Sequence, residues 1–301
     1  MKYCIVCGSK KNSEKIGVNI KFGWDVLYCN KCKLAYGDEE DSKIKKRYTK
    51  YYTEEYWHSK EGKKNILGTD PEQQKMSKAE AILSTKIIPA GIKFIRALGV
   101  KPLIAVSHHH MIKKYVRDDK KIKFLEIGPG EGYSLRYFNK LYDISAIEPD
   151  KPNTKNINKY FGRKVCVSGD AETDKIAGKY DIVYMCHVFE HIVSPLKFLH
   201  NIKNNIKDDG ILFIEVPNCE WPRMMQISAL ENETHTYHYK LEGINKLLKK
   251  AGYKILESGV YSATTNNPIT TTFRSIFNIY SYKKMPLKQG IKIVVIAKKD
   301  K

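Results

Sequence analysis

The second half of the chain alternates short apolar runs with amphipathic stretches. Apolar runs fall at 122–127, 144–148, 165–167, 181–186 and 211–216, and helical spacing of apolar positions falls at 133–141, 152–161, 195–206 and 241–251. Strands of this length separated by helical crossovers predict a parallel, doubly wound α/β sheet. Two later runs, 254–260 and 291–297, are joined by a long connection without clear helical period. A hairpin-like return there predicts that the last strand runs antiparallel. Upstream, an apolar stripe through Ala79, Ile82, Leu83, Ile87, Ile88, Ile92, Ile95 and Leu98 is interrupted by Pro89 and Gly91, which predicts a broken pair of helices over 71–99 covering the sheet. Tyr48, Tyr51, Tyr52, Tyr56 and Trp57 recur every three or four residues. That spacing is helical, and two uses fit it equally: a packing stripe, or a lid over a site.

Cysteine adds a module in front of this pattern. Four of the seven cysteines form two CxxC pairs, Cys4 with Cys7 and Cys29 with Cys32, and the residues between the pairs, 16–28, read as a hairpin. Four thiolates prefer zinc and leave no open coordination position, so the ion would hold the fold, with iron as the alternative ion. A thioredoxin-like redox pair would need a βαβ context that these residues lack. Cys166, Cys186 and Cys219 fall in or just after predicted strands, where a thiol behaves as a small buried hydrophobe. The acidic turn at 37–41 closes the module. The expected organisation is a zinc-ribbon-like unit over 1–41, a helical cap or linker over 42–121, and a Rossmann-like domain over 122–301.

The 301 residues carry a formal net charge of +20 with 42% hydrophobic positions. No apolar run approaches the roughly 20 residues of a membrane span, and the first residues do not open a signal-peptide core; a cytoplasmic protein is expected. The positive charge suits an anionic partner such as RNA. It is mostly Lys and is spread from Lys10 to Lys301 without an Arg-rich stripe, so a lysine-coated soluble surface explains it as well. The run His108-His109-His110 offers little: neighbours on a helix point to different faces and cannot converge on one ion, and a solvated turn or helix start is the expectation.

Candidate chemistry gathers at the ends of the predicted strands. The first runs into Leu125-Glu126-Ile127-Gly128-Pro129-Gly130-Glu131-Gly132. Gly128, Gly130 and Gly132 let backbone approach a ligand at the mouth of the sheet, where the next helix presents its N–H groups. The spacing is G-x-G-x-G, with Tyr133 where a dinucleotide fingerprint wants glycine. Glu126 before it would repel a pyrophosphate and complement a cation. Glu148 ends the second strand, where a carboxylate accepts from ribose hydroxyls. Asp170 and Ala171 follow the third, beside the expected adenine. His187 opens the segment His187-Val188-Phe189-Glu190-His191 after the fourth, bordering the reacting group.

Taken in order, the glycine loop, Asp170-Ala171-Glu172, Val188-Phe189-Glu190-His191 and His235-Thr236-Tyr237-His238 make residues 121–254 resemble a class I S-adenosylmethionine (SAM) dependent methyltransferase. The front end, from the Cys4 to Cys32 module to Tyr51-Tyr52-Thr53-Glu54-Glu55-Tyr56, is similar to that of zinc-ribbon methyltransferases acting on nucleotide-linked sugars. Thr234-His235 stands where those enzymes carry Glu-His. The resemblance implies SAM as cofactor, structural zinc, and a small-molecule or glycan acceptor methylated on oxygen. It carries His235 over as the candidate general base, with His238 or Tyr239 orienting the acceptor. An RNA methyltransferase docking through the ribbon is the alternative enzyme, although the Asn/Asp-Pro-Pro-aromatic segment for a planar base amine is missing after the fourth strand. A SAM-binding protein without turnover is the reading outside catalysis. The oligomeric state is not legible.

Overall fold

The structure, a computed structural model, describes residues 2–51, 102–117, 121–231, 234–263 and 282–300. The predicted helix pair over 71–99, together with Tyr52, Tyr56 and Trp57, lies outside them.

The N-terminal module is a small antiparallel sheet. Strands β1 (Ser13–Val18) and β2 (Asp25–Cys29) form the expected hairpin, and β3 (Leu34–Gly37) pairs with β2. Helix α1 (Asp41–Lys50) follows, burying Ile44 and Tyr48. Helix α2 (Pro102–Ile112) leads into the core.

The core strands are β4 (Lys123–Ile127), β5 (Asp143–Glu148), β6 (Cys166–Ser168), β7 (Tyr180–Cys186) and β8 (Ile206–Pro217). They alternate with α3 (Tyr133–Phe138), α4 (Lys151–Phe161) and α5 (Pro195–Ile202). The chain then runs through a short α6 (Pro222–Met225), a π-helical turn at Gln226–Glu231, β9 (Tyr237–Tyr239), α7 (Leu241–Lys250), β10 (Tyr253–Ala263), β11 (Tyr282–Met285) and β12 (Lys292–Lys299). The large sheet has the order β11-β10-β12-β8-β7-β4-β5-β6. Strands β4 to β8 pair in parallel, while β12 is antiparallel to both β8 and β10. This is the α/β, mostly parallel, Rossmann-like sheet with an antiparallel last strand that the hydrophobic pattern predicts.

The central strands are apolar on both faces because helices cover both. Leu125, Val183, Leu212 and Ile214 pack on one side, and Phe124, Ile182, Tyr184 and Phe213 on the other. Amphipathic α7 buries Ile244, Leu247 and Leu248 against the first of these clusters. Helix α4 starts on Asp150, whose carboxylate accepts from the Asn153 N–H at 2.7 Å, and stops at Gly162 in the left-handed region.

Two features depart from expectation. The N-terminal sheet is not closed by its own residues: its fourth strand is β9, paired antiparallel to β3 through Leu34 with Tyr239, Ala35 with His238 and Tyr36 with Tyr237. His238 and Tyr239 are therefore on a strand of the cysteine module's sheet, and His235 stands two residues before it. His108, expected on a solvated turn, is fully buried on α2 with both ring nitrogens engaged, to Tyr184 at 2.7 Å and to Glu215 at 2.8 Å. Its partners are far away in the sequence, which is why its local context misled.

Candidate active site

A cavity of about 900 Å³ lies at the C-terminal ends of β4, β5 and β7, where parallel strands leave a crevice for ligands. Its floor is the loop after β4. Gly128, Gly130 and Gly132 have φ of 64°, 55° and 76°. At Gly128 a side chain is excluded twice, since a Cβ would stand 2.8 Å from Val188 Cγ2. Gly130 lines the cavity, and its N–H donates to Glu148 Oε2 at 2.9 Å. Gly132 is not a lining residue; it caps the start of α3.

Glu148 ends β5 at the cavity wall. Its other oxygen accepts from the Asp150 N–H at 3.0 Å, so two backbone donors hold the carboxylate at the cavity wall. Burial pushes its pKa up to about 7 against the pull of the two N–H donors. Glu126 differs from expectation. It is buried beneath the loop rather than lining the cavity, with Oε1 accepting from the Ser134 hydroxyl. Burial pushes it up to about 8. It fastens the first turn of α3 to β4, and any complement to a bound cation would act from below the glycine loop.

Opposite, Asp170 and Ala171 line the cavity after β6. Asp170 is paired with Lys45 of α1, which also reaches Glu172 Oε2 at 2.6 Å. Glu172 Oε1 accepts from the N–H groups of Val193 and Ser194 at 3.0 and 2.9 Å, at the entry to α5. Lys45, Tyr48 and Tyr51 all line the cavity. Helix α1 therefore forms one wall, a role that sequence reasoning missed for Lys45 and that the spacing of Tyr48 and Tyr51 had left between packing and lid. Tyr48 is buried and lines the cavity, and its hydroxyl bonds the Thr234 carbonyl and Thr236 Oγ1.

The end of the cavity beyond the glycine loop is a cluster of histidines around one acid. His187 sits at φ 54°, uncommon for a side chain of this size. Its Nδ1 is 3.3 Å from Glu190 Oε1 and its Nε2 is 3.2 Å from Glu215 Oε1. Burial opposes its charge, but these two carboxylates outweigh burial and push its pKa up to about 9. His191 and His235 also line the cavity. Both are pushed down, chiefly by burial, and for His235 also by the neighbouring histidines. His235 Nδ1 and His238 Nδ1 share the hydroxyl of Ser228, each at 2.9 Å. His238 and Tyr239 do not reach the cavity: His238 is 1% exposed on β9, and Tyr239 stacks on Phe189. Of the three candidate catalytic side chains, the fold brings only His235 to the cavity.

The four cysteines of the N-terminal module converge on one another and do not line this cavity. Their sulfurs lie within 4.8 Å of one another, with Cys7 Sγ and Cys29 Sγ 3.8 Å apart, and Cys4, Cys29 and Cys32 are buried. Among the described residues no helix is long and apolar enough to cross a membrane.

Comparison with known proteins agrees with this geometry. Residues 106–258 match a family model described as a methyltransferase domain. The chain is 29% identical over 119 residues to the ubiquinone biosynthesis O-methyltransferase of Rickettsia prowazekii (strain Madrid E), covering 36% of this chain and 44% of that protein. It is 23% identical over 145 residues to the malonyl-[acyl-carrier protein] O-methyltransferase of Bacillus cereus, covering 44% and 51%. The chain thus spans about half the length of the curated relatives it matches. Among solved structures, the plantazolicin methyltransferase BpumL in complex with SAH superposes with a TM-score of 0.50 at 15% identity, over 86% of this chain and 98% of that one. A SAM-dependent methyltransferase from Mesorhizobium loti gives a TM-score of 0.50 at 10% identity, over 65% and 100%. These likenesses are of fold.

Proposed function

Since the chain belongs to the methyltransferase-domain family and its core is a SAM-dependent methyltransferase domain, we propose that it methylates a hydroxyl oxygen of a small molecule, a sugar or glycan precursor being the favoured class. The observation that carries this reading is the cavity's two-ended chemistry, with glycines and carboxylates at one end and neutral imidazoles at the other. SAM supplies an activated methyl group. The chain's residues do the rest. Gly128 and Gly130 admit the donor close to backbone, Glu148 accepts from its ribose hydroxyls, and Asp170 takes the adenine amino group once Lys45 yields.

At the other end, the acceptor hydroxyl must lose its proton as its oxygen attacks. The neutral imidazole of His235 can lower that barrier in two ways: by accepting the proton, or by holding a cation that acidifies the hydroxyl. Tyr48, His191 and the 226–231 turn surround the acceptor and help to exclude water from the reacting pair. The curated relatives are both O-methyltransferases by name, which supports oxygen as the acceptor atom.

The four cysteines hold a structural zinc ion in this reading. Four convergent thiols of which three are buried suit a closed tetrahedral site, and β3, which follows Cys32 directly, hands that rigidity to β9 and so to His235.

The test is incubation of the purified protein with methyl-labelled SAM and cell extract, separated into nucleic-acid, protein, and small-molecule or glycan pools. We expect label in the last pool, in a product resistant to mild base as an ether is. Label confined to a nuclease-sensitive pool would instead make the protein an RNA methyltransferase, with the positive charge and the ribbon as its docking surface.

A further inference from the structure

Glu190 is the least explained group in the cavity region. It is 1% exposed, Oε1 meets His187 in an ion pair that His187 shares with Glu215, and Oε2 has no hydrogen-bond partner. A buried carboxylate in that condition is costly unless a cation faces it. The groups that face it are histidines. His187 Nδ1 stands 3.3 Å away, His235 Nε2 stands 3.9 Å away, and the rings of His191 and His235 are 4.7 Å apart, edge to face. One ligand atom each from Glu190, His191 and His235 lie within 4.8 Å of one another. Ligands about 2.1 Å from a shared ion sit roughly 3 to 4 Å apart, so side-chain adjustments alone bring these three onto one centre.

The tautomers agree with that use. His191 Nδ1 is 2.9 Å from the Thr234 carbonyl, which can only accept, so His191 carries its proton on Nδ1 and its lone pair on Nε2. His235 Nδ1 bonds Ser228 Oγ, and the same hydroxyl meets His238 Nδ1. In the order where His235 donates to Ser228 and Ser228 donates to His238, His235 Nε2 is a lone pair; in the reverse order it carries the proton and faces Glu190. His187 competes for Glu190 through Oε1 only, and Glu215 retains it when Oε2 is given to an ion.

We propose that Glu190, His191 and His235 form a second metal centre, a two-histidine, one-carboxylate site for a divalent transition-metal ion at the acceptor end of the cavity. Three protein ligands leave coordination positions open, unlike the four-cysteine site. The acceptor hydroxyl takes one of them through its oxygen. The ion acidifies it, so that the O–H bond breaks with its electron pair left on oxygen and the proton passing to solvent. An acceptor with a second oxygen on the adjacent carbon, a vicinal diol or hydroxy-carbonyl, could fill two positions, which narrows the substrate class. This inference rests on the reading of this end of the cavity as the acceptor site.

The test is a titration of Co²⁺ into the full chain with its ribbon loaded with zinc. It is repeated with Glu190→Gln and His191→Ala, and SAH affinity is read on the same samples. Nitrogen and oxygen ligands give weak visible absorption without the strong near-ultraviolet band of thiolate-bound cobalt. We expect one such Co²⁺ per chain, bound more than about tenfold more weakly by either variant, a loss that even changes outside the ligand shell can reach, with SAH affinity retained. No saturable binding, cobalt carrying the thiolate band only, or equal binding by all three proteins would overturn the site. Wild-type protein that binds SAH but not Co²⁺ overturns the metal centre alone. Protein that binds Co²⁺ but not SAH supports the centre and overturns the cofactor reading.

Discussion

Glu126 shows how one residue serves loop geometry and ties stability to pH. Its carboxyl is pushed from 4.5 up to about 8 by burial, with Glu148 adding to the rise. A carboxyl raised in the folded state binds a proton that the unfolded chain has released, so folding gains nothing from its ionisation. Its contribution to stability is full below pH 4.5 and declines as pH rises toward about 8. The accumulated loss for a group this buried is on the order of a few kcal/mol. Glu126→Gln is expected to narrow the gap between urea midpoints measured at pH 5 and pH 8 in the ligand-free protein. Glu148, raised to about 7, leaves part of the gap in place. An unchanged gap would mean that Glu126 is ionised throughout. At this scale the sequence was informative where function depends on local spacing. Gly128, Gly130, Glu148, Asp170, Ala171, His187 and His235 all line one cavity. It was uninformative where function depends on distant partners: nothing near Lys45 points to Asp170, and nothing near His108 points to Glu215.

The decisive element is β9, three residues long and shared between modules. Hydrophobic periodicity could not find it, because Tyr237-His238-Tyr239 is too short to show a period and its partner β3 lies some two hundred positions upstream. The core strands were readable because their apolar runs exceed any helical stripe of equal length, and β12 was readable as antiparallel because no helical crossover precedes it. In the proposed reading, the β3 to β9 pairing makes a zinc-loaded cysteine site a support for the acceptor end. Removing the ribbon metal with a strong chelator, or changing Cys29→Ser, is expected to release β9 and abolish methyl transfer while SAH still binds at the glycine loop, since Glu148 and Gly130 belong to the large sheet. Simultaneous loss of SAH affinity and transfer would show the two modules to be one cooperative unit. Unchanged transfer after complete metal loss would show that the ribbon does not position His235.

For the molecule as a whole, part of the basic surface behind the charge of +20 is locally paired. Many of the lysines are paired: Lys10 with Asp38, Lys15 with Asp25, Lys207 with Asp181, Lys246 with Glu242 and Lys299 with Asp208. Exposed pairs of this kind add little stability, and they break up a continuous positive surface. What organises the molecule is a cavity at the C-terminal ends of the large sheet's strands, walled by α1 and by the segment that leads into β9; the end proposed for the donor is built by the large sheet, and the end proposed for the acceptor lies next to the strand shared with the small one. Everything proposed for the acceptor depends on the donor end binding SAM. The most direct measurement is calorimetric titration of SAM into the wild-type protein, Glu148→Ala and Gly130→Val. One SAM per chain is expected for the wild type. Affinity should fall about tenfold or more in Glu148→Ala through lost ribose contacts, and be lost in Gly130→Val, where a branched side chain meets both the left-handed backbone and the ligand. No binding by the wild type, or equal binding by all three, would contradict the account at its base.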